Sequence, residues 1–196
     1  MKSSLLLLLL LGLCLDCNTA ENAPSTKNNY FSINGIKYAI TDAALLDVDT
    51  PVGILSAPYV HTLVFTTAKI EMIRDSNDYF NLSGSGPVMG VVCYTQGSGL
   101  ESGNYFIALR SPNKPKDIGL GFFAKEWETA QRGENYWQAA GTVLQSGKMT
   151  VTENNSQWQL NANLVGDDNS AITLDYTGNL KNFLFLYIPP STTPTP

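Results

Sequence analysis

Apolar and polar residues alternate most cleanly late in the chain. Trp158, Leu160, Ala162 and Leu164 fall on one parity, and Gln157, Gln159, Asn161 and Asn163 on the other. A period of two with one polar face predicts a half-buried antiparallel strand. Gly166-Asp-Asp-Asn-Ser170 then supplies a turn, and Ile172, Leu174 and Tyr176 alternate with Thr173, Asp175 and Thr177. The two segments are expected to form a long amphipathic hairpin. A second hairpin is expected near the start, where the β-prone runs Tyr30-Phe-Ser-Ile33 and Ile36-Lys-Tyr-Ala-Ile40 flank Asn34-Gly35, a strong two-residue turn signal.

Between these hairpins the pattern predicts strands at Thr62 to Ile73, Tyr79 to Ser83, Val88 to Thr95, Tyr105 to Leu109 and Gly119 to Trp127, divided by clusters of Gly, Pro, Asn and Asp. The continuous apolar run Phe183 to Ile188 is the expected last strand, ended by Pro189. Short helical segments are expected only at Ala43 to Asp47 and Glu126 to Arg132. Such spacing predicts an all-β domain over residues 30 to 188, as an antiparallel β-sandwich or, alternatively, a lipocalin-like up-and-down β-barrel. Residues 189 to 196, rich in Pro and Thr, are expected as a disordered tail.

The first seventeen residues follow a different pattern. Met1-Lys2 precedes the apolar run Leu5 to Leu13, the layout of a secretory signal peptide, and Cys14-Leu15-Asp16-Cys17 follows directly. Such a run is too short to span a bilayer, and no second apolar segment approaches the ~20 residues that spanning requires. Cys17 is the expected lipid-attachment cysteine, although Asp16 stands where small residues normally precede an acylated cysteine. Plain secretion, with cleavage near Cys17 or Ala20, is the alternative. Residues 18 to 29 are small and polar and are expected to act as a flexible tether.

Removal of residues 1 to 16 takes away one positive and one negative charge, Lys2 and Asp16, so the net charge stays at −5. An acidic chain without a basic cluster argues against nucleic acid and against charge-driven docking on anionic lipid. If Cys17 carries lipid, Cys93 is the one thiol left in the domain, and it is expected to be a buried strand residue.

Four features together, Tyr30-Phe-Ser-Ile-Asn-Gly-Ile-Lys-Tyr38, Leu100-Glu-Ser-Gly-Asn-Tyr105, Gly141-Thr-Val143 and the Asn161 to Leu180 hairpin, follow the signal segment. In this combination the chain resembles small secreted or lipid-anchored all-β proteins of Bacteroidetes, most of them without an assigned function. The resemblance implies a bacterial source, an envelope location and a sandwich or lipocalin-like barrel, and it supplies no catalytic residues.

Candidate chemistry is sparse. His61 is the single histidine and has no carboxylate close to it in sequence, so it is expected as a surface or packing residue. Ser83-Gly-Ser-Gly86 and Gly97-Ser-Gly99 do not form a nucleophile elbow and read as turns. Asp47 with Asp49, Asp75 with Asp78 and Asp167 with Asp168 lack the spacing of a calcium loop, and no metal or cofactor is expected. Glu126 and Glu128 share a face if extended, which gives a hydrolytic alternative on a glycan. The aromatic residues Trp127, Tyr136 and Trp137 flank the polar stretch Glu128 to Asn135 and are the candidate binding surface for a glycan or protein partner. The expected protein is a non-enzymatic envelope lipoprotein, exported and anchored through Cys17 at the outer membrane on its periplasmic or surface face, or otherwise secreted. A barrel holding a small apolar ligand is the alternative.

Overall fold

The computed structural model describes residues 29–48, 59–74, 80–108, 114–128 and 141–185. They form strands β1 (Tyr30–Ile33), β2 (Ile36–Ala39), β3 (Asp42–Val48), β4 (Tyr59–Thr66), β5 (Ile70–Arg74) and β6 (Phe80–Thr95). After these come β7 (Gly103–Ile107), β8 (Asp117–Glu128), β9 (Thr142–Asn154), β10 (Gln157–Gly166), β11 (Ala171–Gly178) and β12 (Lys181–Phe185). The fold is all-β, and its strongly curled mixed sheet forms a half-barrel, within the sandwich-or-barrel class that the pattern predicts. Strand order is β12-β3-β4-β6-β8-β7-β9-β10-β11-β1-β2, with β5 paired to β6 off this path. Two pairs, β12 with β3 and β7 with β8, are parallel; the others are antiparallel.

Both expected hairpins form. Asn34 and Gly35 have φ of 49° and 81°, the left-handed pair that a type I′ turn requires between β1 and β2. Trp158, Leu160, Ala162 and Leu164 on β10 and Ile172, Leu174 and Tyr176 on β11 all turn toward the concave interior. There they meet Phe31, Leu63, Phe65, Met89, Val91, Tyr105, Phe123 and Met149.

Strand β3 replaces the helix expected at Ala43 to Asp47. Ala-Ala-Leu-Leu favours a helix locally, but here Ala43 and Leu45 enter the interior while Ala44 and Leu46 enter a second core on the outer face. Burial on both faces overrides a propensity difference worth only tenths of a kcal/mol per residue. That second core also holds Val64, Val88, Phe122 and Ala124, and is covered by Ile70 and Met72 of β5, Phe80 and Leu82 of β6, and Phe183 of β12. The central strands therefore carry near-continuous apolar runs.

Three boundaries differ from expectation for local reasons. The expected strand from Thr62 to Ile73 is broken by a turn in which the Ile70 amide donates to the Thr67 carbonyl at 2.9 Å. The two strands expected at Tyr79 to Ser83 and Val88 to Thr95 are one bent strand, β6, which pairs first with β5 and then with β4. Gly84 makes the bend: its φ is 111°, and a Cβ there would stand 2.1 Å from the Lys69 carbonyl oxygen. The helix expected at Glu126 to Arg132 is absent over its described part, since Glu126 and Glu128 belong to β8, and 129–132 lie outside the described residues.

Candidate functional site

Two adjoining grooves open where the β1–β2 hairpin leans over the end of β8. The first, about 430 Å³, is walled by Ile33, Asn34 and Ile36 of the hairpin, Phe123 and Lys125 of β8, and Gly141, Thr142, Asp168 and Ser170. The second, about 570 Å³, runs along Lys37 to Ala39 and past Lys69, Pro87, Trp127 and Glu128. Tyr38 and Glu126 line both. The connection 129–140 departs from Glu128, at the second groove, and returns at Gly141, at the first.

The shared ring is held by packing. Tyr38 lies 5.7 Å from the Phe31 ring and 5.8 Å from Phe123, and Phe31 meets Phe123 edge-on at 5.7 Å. This triplet ties the hairpin to β8 and leaves Ile36 beside the first groove 57% exposed. Opposite it, the Asp167-Asp168-Asn169 turn is fastened as the sequence predicts. Asp168 Oδ1 accepts from the Ser170 amide at 2.9 Å, Oδ2 accepts from the Thr142 hydroxyl at 3.2 Å, and Asp167 Oδ1 accepts from the Val143 amide at 3.1 Å. The Ser170 hydroxyl and amide hold the Asp168 carboxyl below its usual range.

Trp127, whose ring was expected at the solvent-facing loop, is only 2% exposed and packs in the outer core with Phe122 and Ala124. The physical reason is a bulge. Between Gly86 and Val88, β6 advances two residues while β8 advances three, from Trp127 to Ala124. The extra residue reverses the parity of β8 and turns the indole away from the Phe123 face, with exposed Glu126 and Glu128 on either side of it. Tyr136, Trp137, Cys14 and Cys17 lie outside the described residues.

A polar lock sits elsewhere, on the β6–β7 connection. Lys116 Nζ is 2.9 Å from Glu101 Oε2, while Glu101 Oε1 accepts from the amides of Gly97 at 2.7 Å and Gln96 at 3.2 Å. The Tyr105 hydroxyl, on a fully buried ring, donates to the Glu101 carbonyl at 2.7 Å. The hydrogen bond from Lys116, followed by that from Gly97, lowers the Glu101 pKa. A carboxylate with a lowered folded pKa contributes stability above its unfolded value, about 4.3, and loses that contribution as pH falls through the folded value. Wild type is therefore expected to show a steeper fall in unfolding free energy below about pH 4.3 than Glu101→Gln, measured as urea midpoints across the acid range.

His61 was expected without a carboxylate nearby, and the structure corrects this. Asp47 on β3 is its register partner, and Nδ1 lies 2.8 Å from Asp47 Oδ1. Reading 43–47 as helix concealed the pair; an extended reading places Asp47 and His61 side by side across the antiparallel ladder. Cys93, on the strand at the other side of His61, is fully buried as expected, and that burial pushes its thiol pKa up. Among the described residues no group of three or more His, Cys, Asp or Glu side chains converges on a metal position. No described helix is long and apolar enough to cross a membrane.

No protein-family model, curated protein or solved structure matches the chain.

Proposed function

We propose that this chain is an exported, lipid-anchored and non-catalytic envelope protein whose half-barrel binds a glycan through the twin grooves at the end of β8. The observation that carries this reading is the meeting of both grooves at one fixed ring, Tyr38, beside the two ends of the connection that bears Tyr136 and Trp137. An immobilised aromatic ring stacks on the apolar face of a sugar at little entropic cost. Around it stand the acceptors and donors that hydroxyl groups require: Glu126 in both grooves, and Asn34, Thr142 and Ser170 in the first. Packing of the concave interior by Phe31, Phe65, Tyr105, Phe123 and Tyr176 favours this surface over an interior cargo site.

On a glycan array, Tyr38→Ala and Trp137→Ala are each expected to bind the tightest glycan about 2- to 12-fold less well than wild type, the scale of one lost stacking contact of about 0.5–1.5 kcal/mol. Equal binding by wild type and both variants removes the site. The anchor has its own test: radiolabelled palmitate is expected in wild type and not in Cys17→Ala.

A further inference from the structure

His61 is a buried residue with a ring nitrogen that its surroundings do not account for. Its side chain is 3% exposed, Nδ1 faces Asp47, and Nε2 is buried without a hydrogen-bond partner among the described residues. A carboxylate accepts, so Nδ1 is the donor, and Nε2, with no acceptor beside it, is the nitrogen left to offer a lone pair. The two ring nitrogens point apart, so a ring whose Nδ1 faces β3 presents Nε2 away from β3, and β6 is the strand on the other side of β4. There Cys93 is the direct register partner of His61. Leu45, Leu63, Phe65, Met89 and Val91, of like parity with the three residues, all belong to the interior core, so Asp47, His61 and Cys93 occupy one face of three successive strands. Directly opposed residues on antiparallel strands have Cβ atoms about 4.5–5.5 Å apart, so the two side chains rise from neighbouring positions on one face.

We propose that His61 Nε2 and Cys93 Sγ form a two-ligand site for a soft monovalent metal ion of the Cu(I) type, with Asp47 as its positioning residue. A carboxylate on the far ring nitrogen is how ligating histidines are oriented and made more basic. One thiolate and one imidazole, with no His, Cys, Asp or Glu completing a group of three among the described residues, suit a soft ion of low coordination number rather than four-coordinate zinc. Asp47, with a side chain 45% exposed, marks the solvent side from which an ion reaches the buried pair. Binding breaks the Cys93 S–H bond and forms an S–metal bond, releasing one proton to solvent and leaving the metal's oxidation state unchanged.

The test uses full-length protein carrying Cys14→Ser and Cys17→Ser, in which Cys93 is the sole thiol. It is titrated with Cu(I) under anaerobic conditions against a chromophoric chelator. Expected are one ion per chain, a near-ultraviolet thiolate-to-copper band and one proton released. Adding Cys93→Ser should abolish the band, Asp47→Asn should weaken affinity about 10–100-fold, the range for a lost partner of a ligand, and His61→Gln, which removes a ligand, should weaken it further. A parent that retains no Cu(I), or retention unchanged by Cys93→Ser and His61→Gln, overturns the proposal. The parent's own result decides the matter even where Cys93→Ser fails to fold.

Discussion

Trp127→Ala is expected to lower the unfolding free energy by about 3–5 kcal/mol, the cost of deleting a large buried ring. The indole is 2% exposed and fills the outer core beside Phe122, Ala124 and the β5–β6 arm. Trp127→Phe keeps most of the apolar volume and should cost much less. Urea denaturation followed by far-UV circular dichroism separates the two variants. If Trp127→Ala instead leaves the urea midpoint unchanged and affects only glycan binding, the ring is a contact residue, as the sequence alone suggests.

Phe31→Ala is the second large effect, again about 3–5 kcal/mol, and it acts on the hairpin that walls the grooves. Phe31 is fully buried and joins Tyr38 to Phe123, so it fixes the hairpin that walls both grooves. Its loss removes two ring contacts worth 0.5–1.5 kcal/mol each beyond area burial. The β1–β2 amides should then exchange faster than those of β9 and β10, and glycan affinity should fall below that of Tyr38→Ala. Uniform acceleration of exchange over the whole sheet would show that the hairpin is not a separable wall.

Where alternation was regular, the sequence was a good guide. Asn34-Gly35 and the β10–β11 repeat are local signals, complete within a dozen residues, and the structure has both hairpins. Strand β9 shows why other elements were hidden. Leu144 faces inward on even parity, but Met149 and Val151 do so on odd parity, because Ser146 pairs with Val165 and Leu144 with Gly166, leaving Gln145 as an inserted residue. A bulge breaks the period that a sequence reader follows. The same device on β8 moved Trp127 from one face to the other. At β3 the difficulty was different: an Ala-Ala-Leu-Leu segment buried on both sides has no period, and only its neighbours decide between helix and strand.

The candidate site divides along the same line. Tyr38 is an ordinary residue in sequence, and it meets Glu126, which the sequence singles out only as half of a carboxylate pair, through the lean of the hairpin over β8. The His61–Asp47 pair depends on the register between β3 and β4, which no local pattern contains. Lys116 reaches Glu101 across the parallel β7–β8 pairing, and a parallel pair is not legible from alternation.

The most direct measurement of the binding account is amide hydrogen exchange of the full chain with and without the tightest glycan from the array. Protection is predicted at 33–41, 67–69, 85–87, 123–128, 141–142 and 168–170, the segments that wall the two grooves. Unchanged exchange in those segments, or protection confined to residues around Glu101 and Lys116, would contradict it.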